Sequence, residues 1–185
     1  MSGYNLGLFT VLIVEDNTYM RNLLRSIMMR LGAGNILTAA HGGEAIETLK
    51  LIRSDPRKAG VGSVDMVLSN WEMPPVDGLM LLRWVRRHKD SPDKFIPFVL
   101  ITGHADIDKV QEARDLGATE VLGKPYSVQS LIGRLEMLIE KPRQFVLTGD
   151  HSGPDRRRRQ SRSQPSDRRI MNERDVEVIY DDGHA

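Results

Sequence analysis

The chain has 185 residues, 40% hydrophobic and 28% charged, with a formal net charge of +1, which suits one ordinary domain with a real core plus a tail. It contains no cysteine, which excludes disulfides and thiolate metal sites. Residues 1–8 carry no Lys or Arg, Glu15 and Asp16 cut off the apolar run Leu8–Val14, and no stretch reaches the roughly 18–20 apolar residues of a membrane span, so the sequence reads as cytoplasmic.

In chain order, the first expected strand is Phe9–Val14. A helix follows, because Met20, Leu23, Leu24, Ile27, Met28 and Leu31 recur at i, i+3, i+4, i+7, i+8 and i+11 and form one apolar stripe. Gly32 sits where that helix should stop. Ile36–Ala40 reads as the second strand and roughly 43–53 as a weaker helix. Met66–Ser69 is the third strand, with helix 78–88 after it. Phe98–Thr102 is the fourth strand, followed by helix 106–116. Glu120–Leu122 is the fifth, and Val128, Leu131, Ile132, Leu135, Leu138 and Ile139 mark a last helix ended by Pro142. Short apolar runs of this kind suit strands buried on both faces. Five strands alternating with five helices predict an α/β, doubly wound, five-stranded parallel sheet. In such sheets ligands bind beyond the carboxyl ends of the strands, so polar residues just after strands are the ones to weigh.

The expected organisation is a lead at 1–8, a domain at 9–141 and a flexible charged tail at 142–185. Residues 1–141 hold 17 basic and 17 acidic residues. Residues 142–170 hold eight Arg against three Asp, and 171–185 hold one Arg against five acids. Segment 148–169 is rich in Gly, Ser, Pro, Asp and Arg, with a weak echo between Gly-Pro-Asp-Arg-Arg at 153–157 and Pro-Ser-Asp-Arg-Arg at 165–169. Val176, Val178 and Tyr180 alternate with acids, so 175–180 has a strand pattern too. The arginines 156–159, 162, 168 and 169 suit either a solvated stretch or phosphate contacts. They have no interleaved aromatics and no helix-turn-helix pattern accompanies them, which argues against nucleic acid as a partner and leaves nucleic-acid or anionic-surface binding through this stretch as the weaker alternative.

Four strand ends carry chemistry. They are Val-Leu-Ile-Val-Glu-Asp at 11–16, Asn-Trp-Glu-Met-Pro-Pro-Val-Asp-Gly at 70–78, Ile-Thr-Gly at 101–103 and Gly-Lys-Pro-Tyr at 123–126. Each alone is weak, since an acidic residue after a strand is often just a helix N-cap. All four in this order resemble the receiver domain of response regulators, over about 9–141. The resemblance implies a flavodoxin-like receiver fold and a module of a two-component phosphorelay that acts through protein–protein contacts. It implies a Mg²⁺ site at Glu15, Asp16 and the backbone carbonyl of Glu72, a hard-cation site built from oxygen. It also implies that Thr102 and Lys124 bind the phosphoryl group. The implied partner is a sensor histidine kinase or another signalling protein, and a homodimer through 106–126 is in the family's range.

The sequence departs from that pattern at two places. Asn70 stands where the family has its phosphate-accepting aspartate, and an amide is a very poor nucleophile. Three readings stay open: a natural pseudo-receiver, a silencing substitution, or a structural Asn. Val121 stands where the family often has a switch aromatic, and Gly123 beside Lys124 removes a side chain. No hydrolase or kinase machinery is legible. There is no phosphate-cradling glycine loop, and His41, His88, His104, His151 and His184 lie in no recognisable motif.

Overall fold

The structure is a computed structural model, and it describes residues 6–103, 106–140, 145–147, 152–154 and 177–179. A 3-10 turn at Leu6–Leu8 leads into β1 (Thr10–Val14), α1 (Thr18–Arg30), β2 (Asn35–Ala39), α2 (Gly42–Ser54) and α3 (Pro56–Ala59). Then come β3 (Met66–Asn70), α4 (Gly78–Arg87), β4 (Phe98–Thr102), α5 (Ile107–Asp115), β5 (Glu120–Gly123) and α6 (Val128–Glu140). Three short strands follow: β6 (Phe145–Leu147), β7 (Ser152–Pro154) and β8 (Glu177–Ile179). The five predicted strands and five predicted helices are all present, with ends shifted by a residue or two.

β1 to β5 form one parallel sheet in the order β2-β1-β3-β4-β5. The order reverses beside β1: the chain steps one way to β2, then returns to the other side for β3. This opens a crevice between β1 and β3 at their carboxyl ends. Side chains alternate across each central strand. Leu12, Val14, Val67, Phe98 and Leu100 pack on one face with Leu49, Leu81, Leu82 and Val85 of α2 and α4. Val11, Ile13, Leu68, Val99 and Ile101 pack on the other with Leu24, Ile27 and Met28 of α1 and Leu131 and Leu135 of α6. β1, β3 and β4 are buried along their whole length, which is why they read as continuous apolar runs rather than alternating ones.

Two expectations need correction. A sixth helix, α3, was not expected. It is four residues long, started by Asp55 accepting from Lys58 N with Pro56 in its first turn, and it closes on left-handed Gly60 at φ 77°. So short an element has no apolar periodicity to betray it. The tail at 142–185 is also not uniformly without structure. β7 and β8 flank β6 on either side in an antiparallel sheet, and β8 falls inside the 175–180 strand pattern. The arginines 156–159, 162, 168 and 169, the 165–169 echo and His104, His151 and His184 lie outside the described residues. No helix among the described residues is long and apolar enough to cross a membrane.

Gly78 ties the fold to the crevice. Its N–H donates to the Trp71 carbonyl at 2.8 Å. A Cβ there would sit 2.3 Å from the Asn70 carbonyl oxygen and 2.8 Å from Leu100 Cδ2. Gly78→Ala should therefore destabilise the domain by about 1–3 kcal/mol through overpacking. Phe98→Ala, which empties a fully buried site, should cost about 3–5 kcal/mol. Urea titration followed by circular dichroism measures both.

Candidate functional site

Each side chain of the site is delivered by a strand end. β1 stops at Val14, and Glu15 N–H still donates to the Ala39 carbonyl of the β2 end at 3.1 Å. Asn17 then caps α1, its side chain accepting from Met20 N at 3.1 Å. The cap is thus Asn17 and not Asp16, which frees both acids to face the crevice. β3 ends on Asn70 itself. β4 ends on Thr102, only 1% exposed, and its carbonyl accepts from Lys124 N at 2.6 Å. That bond continues the β4–β5 ladder by one residue and points Lys124 into the rim. The Lys124–Pro125 peptide is cis.

Asn70 is the hub. Its Nδ2 donates to Asp16 Oδ1 at 3.1 Å, to Glu15 Oε1 at 3.3 Å and to the Glu72 carbonyl at 2.9 Å. Lys124 Nζ donates to Asn70 Oδ1 at 3.2 Å. The amide's orientation follows from its neighbours: an ammonium can only donate, and ionised carboxylates can only accept. Two N–H bonds serve three acceptors, so one hydrogen is shared. Lys124 Nζ also lies 3.7 Å from Glu15 Oε2.

The acids differ in environment. Burial pushes the Glu15 carboxyl above its ordinary range, and a hydrogen bond with Asp16 adds to this, against the pull of Asn17 N–H and Lys124. Burial also pushes Asp16 upward, but hydrogen bonds with Glu15 and Asn70 and with backbone N–H groups outweigh it and hold that carboxyl low. Tyr126 has a buried hydroxyl without a hydrogen-bond partner among the described residues. Burial, and then the nearby Glu15 charge, push its ionisation up. Tyr126 closes the Gly-Lys-Pro-Tyr motif. Sequence gave it no role, because nothing in the spacing says that its ring folds back toward Glu15.

The donor set can be tested against a divalent cation. Two carboxylates and one carbonyl converge on a point, as a hard cation requires. That point is filled by the Asn70 amide nitrogen, which presents hydrogens. Turning its oxygen inward would put a nitrogen against Lys124. As arranged, the residues do not fit the ion. Among the described residues, no group of three or more His, Asp and Glu side chains is placed to hold a metal.

Other polar candidates stay away from the hub. Asp65 lies at the far end of β3, where it accepts from Thr10 N at 2.7 Å. Asp77 caps α4 by accepting from Met80 N at 2.7 Å. Val121 is half-buried and packs at the edge of the core. A groove of about 710 Å³, lined by Phe9, Ile52, Val64, Asp65, Ile96 and Leu138 among others, opens at the amino ends of the strands. It is on the wrong side of the sheet to share in this chemistry.

The Glu15 shift has a sign. Between the ordinary value of 4.5 and its raised value, the folded chain holds this proton more tightly than the unfolded one. Stability therefore falls as pH rises through that window. Glu15→Gln should raise the melting temperature by a few degrees at pH 7, and the gain should fade as pH drops toward 4.5. Thermal melts across pH check this.

Comparison with known proteins agrees with the geometry. The family described as the response regulator receiver domain matches residues 11–136. The chemotaxis protein CheY1 of Helicobacter pylori is 32% identical over 129 residues, covering 70% of this chain and 95% of its own. The structure of Vibrio cholerae chemotaxis protein CheY4 superposes with a TM-score of 0.57 at 28% identity, over 70% of this chain and 97% of that one. A CheY from Borrelia burgdorferi, solved as a complex of CheX, CheY, BeF3 and magnesium, gives a TM-score of 0.59 at 25% identity over 71% and 89% of the two chains. The strand order thus has its explanation: the chain belongs to the response regulator receiver domain family of two-component signalling.

Proposed function

We propose that this receiver signals through protein–protein contacts without being phosphorylated, with Asn70 standing at the phosphoacceptor position. One observation carries the reading: the Asn70 amide donates to Glu15, Asp16 and the Glu72 carbonyl while accepting from Lys124. A neutral amide there is a very poor nucleophile. It also supplies hydrogens where a cation would need oxygen, so magnesium binding is weakened. Lys124, which pairs with a phosphoryl group in the phosphorylated reading, is already engaged by Asn70 and Glu15. Thr102 is set beside it through the Lys124 N–H bond.

The ancestral reading is a working phosphorelay receiver silenced at one side chain. What favours it is the completeness of the surroundings, since Glu15, Asp16, Thr102 and Lys124 all stand at the crevice. In either reading the chain is a binding module rather than an enzyme. Its partner is a histidine kinase or another signalling protein, by analogy with the Borrelia CheY solved with CheX. The docking surface is 104–126 with α6, and a homodimer through 106–126 would use the same face.

Intact-protein mass after incubation with Mg²⁺ and a small phosphodonor tests the reading. The chain as it stands should gain no phosphoryl group, and Asn70→Asp should gain one. An adduct on the Asn70 protein would show that another residue accepts phosphate. Asn70→Asp also crowds three carboxylates together, so it should lower the melting temperature in a metal-free buffer. Millimolar Mg²⁺ should reverse that loss for the Asp form and do little for the Asn form. Calorimetry should find Mg²⁺ bound at least about tenfold more tightly by Asn70→Asp, a difference of about 1.4 kcal/mol.

A further inference from the structure

Arg86 near the end of α4 is 4% exposed, which is rare for an arginine. Its guanidinium ties α4 to two segments: Nε donates to the Gly117 carbonyl at 3.0 Å, and Nη1 and Nη2 donate to the Lys94 and Ile96 carbonyls, each at 2.8 Å. The ring of Phe145, the first residue of β6, covers this group. The Arg86 guanidinium carbon lies 5.0 Å from the centroid of that ring, within cation–π range. Phe95 meets the same ring edge-on at 5.3 Å. Phe145 is itself 8% exposed. The residue that seals the arginine thus comes from beyond the last helix of the receiver, out of the segment whose composition reads as a tail. From this anchor β6 pairs with β7, and β7 lies against α5.

We propose that β6 (Phe145–Leu147) and β7 (Ser152–Pro154) form a cover docked in cis, pinned by Phe145 on Arg86 and Phe95, that lays β7 over the α5 face where a partner of this receiver would bind. The occupant of the site is the chain's own segment, already seated there. The proposal rests on the reading of the α5 face as the partner surface. Its first part, the docking, stands or falls independently of Asn70 and of phosphate. A partner reading α5 must displace the cover or recognise it together with α5. In the first case, detaching Phe145 and engaging the partner are linked, and the cover acts as an intramolecular competitor.

Burial accounts for the cost of releasing it. Desolvation lowers the Arg86 pKa to about 9 against the pull of the Asp93 charge, and three carbonyls and the ring face help to compensate for lost water. Undocking Phe145 would remove the ring and let solvent in. Arg86 would keep its carbonyl bonds, so the receiver core should survive.

The test is hydrogen–deuterium exchange on the full chain, with and without Phe145→Ala, in buffer free of phosphodonor. The expected result is exchange about tenfold faster in 107–115 and 145–147, with β1, β3 and β4 unchanged. Unaltered exchange in 107–115 would overturn the cover. So would loss of protection throughout, which would make Phe145 an ordinary core residue. A second measurement does not depend on a variant at the anchor. The chain lacks cysteine, so a pair of spin labels can be attached in one molecule through Glu112→Cys of α5 and Ser152→Cys of β7. A short, narrow distance distribution supports the docking, and a long, broad one refutes it. Failure of the Asn70 reading would appear as a mass adduct and would leave both of these results untouched.

Discussion

A side-chain amide has an accepting end and a donating end, and the carboxyl edge of this sheet uses both ends of Asn70. The oxygen takes the lysine and the nitrogen takes the acids. Without that group, Glu15, Asp16 and the Glu72 carbonyl would face one another across the crevice with no positive partner between them. Their mutual repulsion in a partly buried site would then have to be met by Lys124 alone, from 3.7 Å. The amide thus bridges like to unlike, and the ends of β1, β3 and β5 are held together through it. The bridge is neutral and part of the chain.

Much of this was legible beforehand, for a physical reason. Strands buried on two faces and helices buried on one leave different periodicities, and both are written in the order of apolar residues. Leu12 and Val11 fall on opposite faces of β1, as strand geometry requires. The strand ends then follow, and with them Glu15, Asp16, Asn70, Thr102 and Lys124. What spacing does not encode is orientation. Nothing in the order of residues says that Asn17 rather than Asp16 caps α1, or that the amide of Asn70 points its hydrogens at the acids. The tail defeated composition for another reason. The described contact of the tail's side chains with the domain is the ring of Phe145, and so short an apolar run leaves no period to detect.

The two ends of the sheet are built for different work. At the carboxyl end, polar groups are gathered and held by bonds that a change of charge would rearrange. At the amino end, Arg86 ties the close of α4 to the segments before β4 and β5, and Asp65 bonds the start of β1. Those contacts join backbone to a buried arginine and a half-buried aspartate and have little freedom to rearrange. The amino end is therefore a rigid base. This rigidity favours repositioning surface elements over deforming the sheet.

The close seat of Gly78 beneath the Asn70 carbonyl has a consequence for heredity. The main chain at position 70 is fixed from below by that glycine, from the side by pairing with Ile101, and by the Ser69 hydroxyl on its carbonyl. None of these contacts involves the side chain, so asparagine and aspartate inherit the same mould. Their codons differ by a single base. A change between a neutral amide and a charged carboxylate at the hub of the crevice is thus open in one mutational step, without first rebuilding the scaffold, and in either direction.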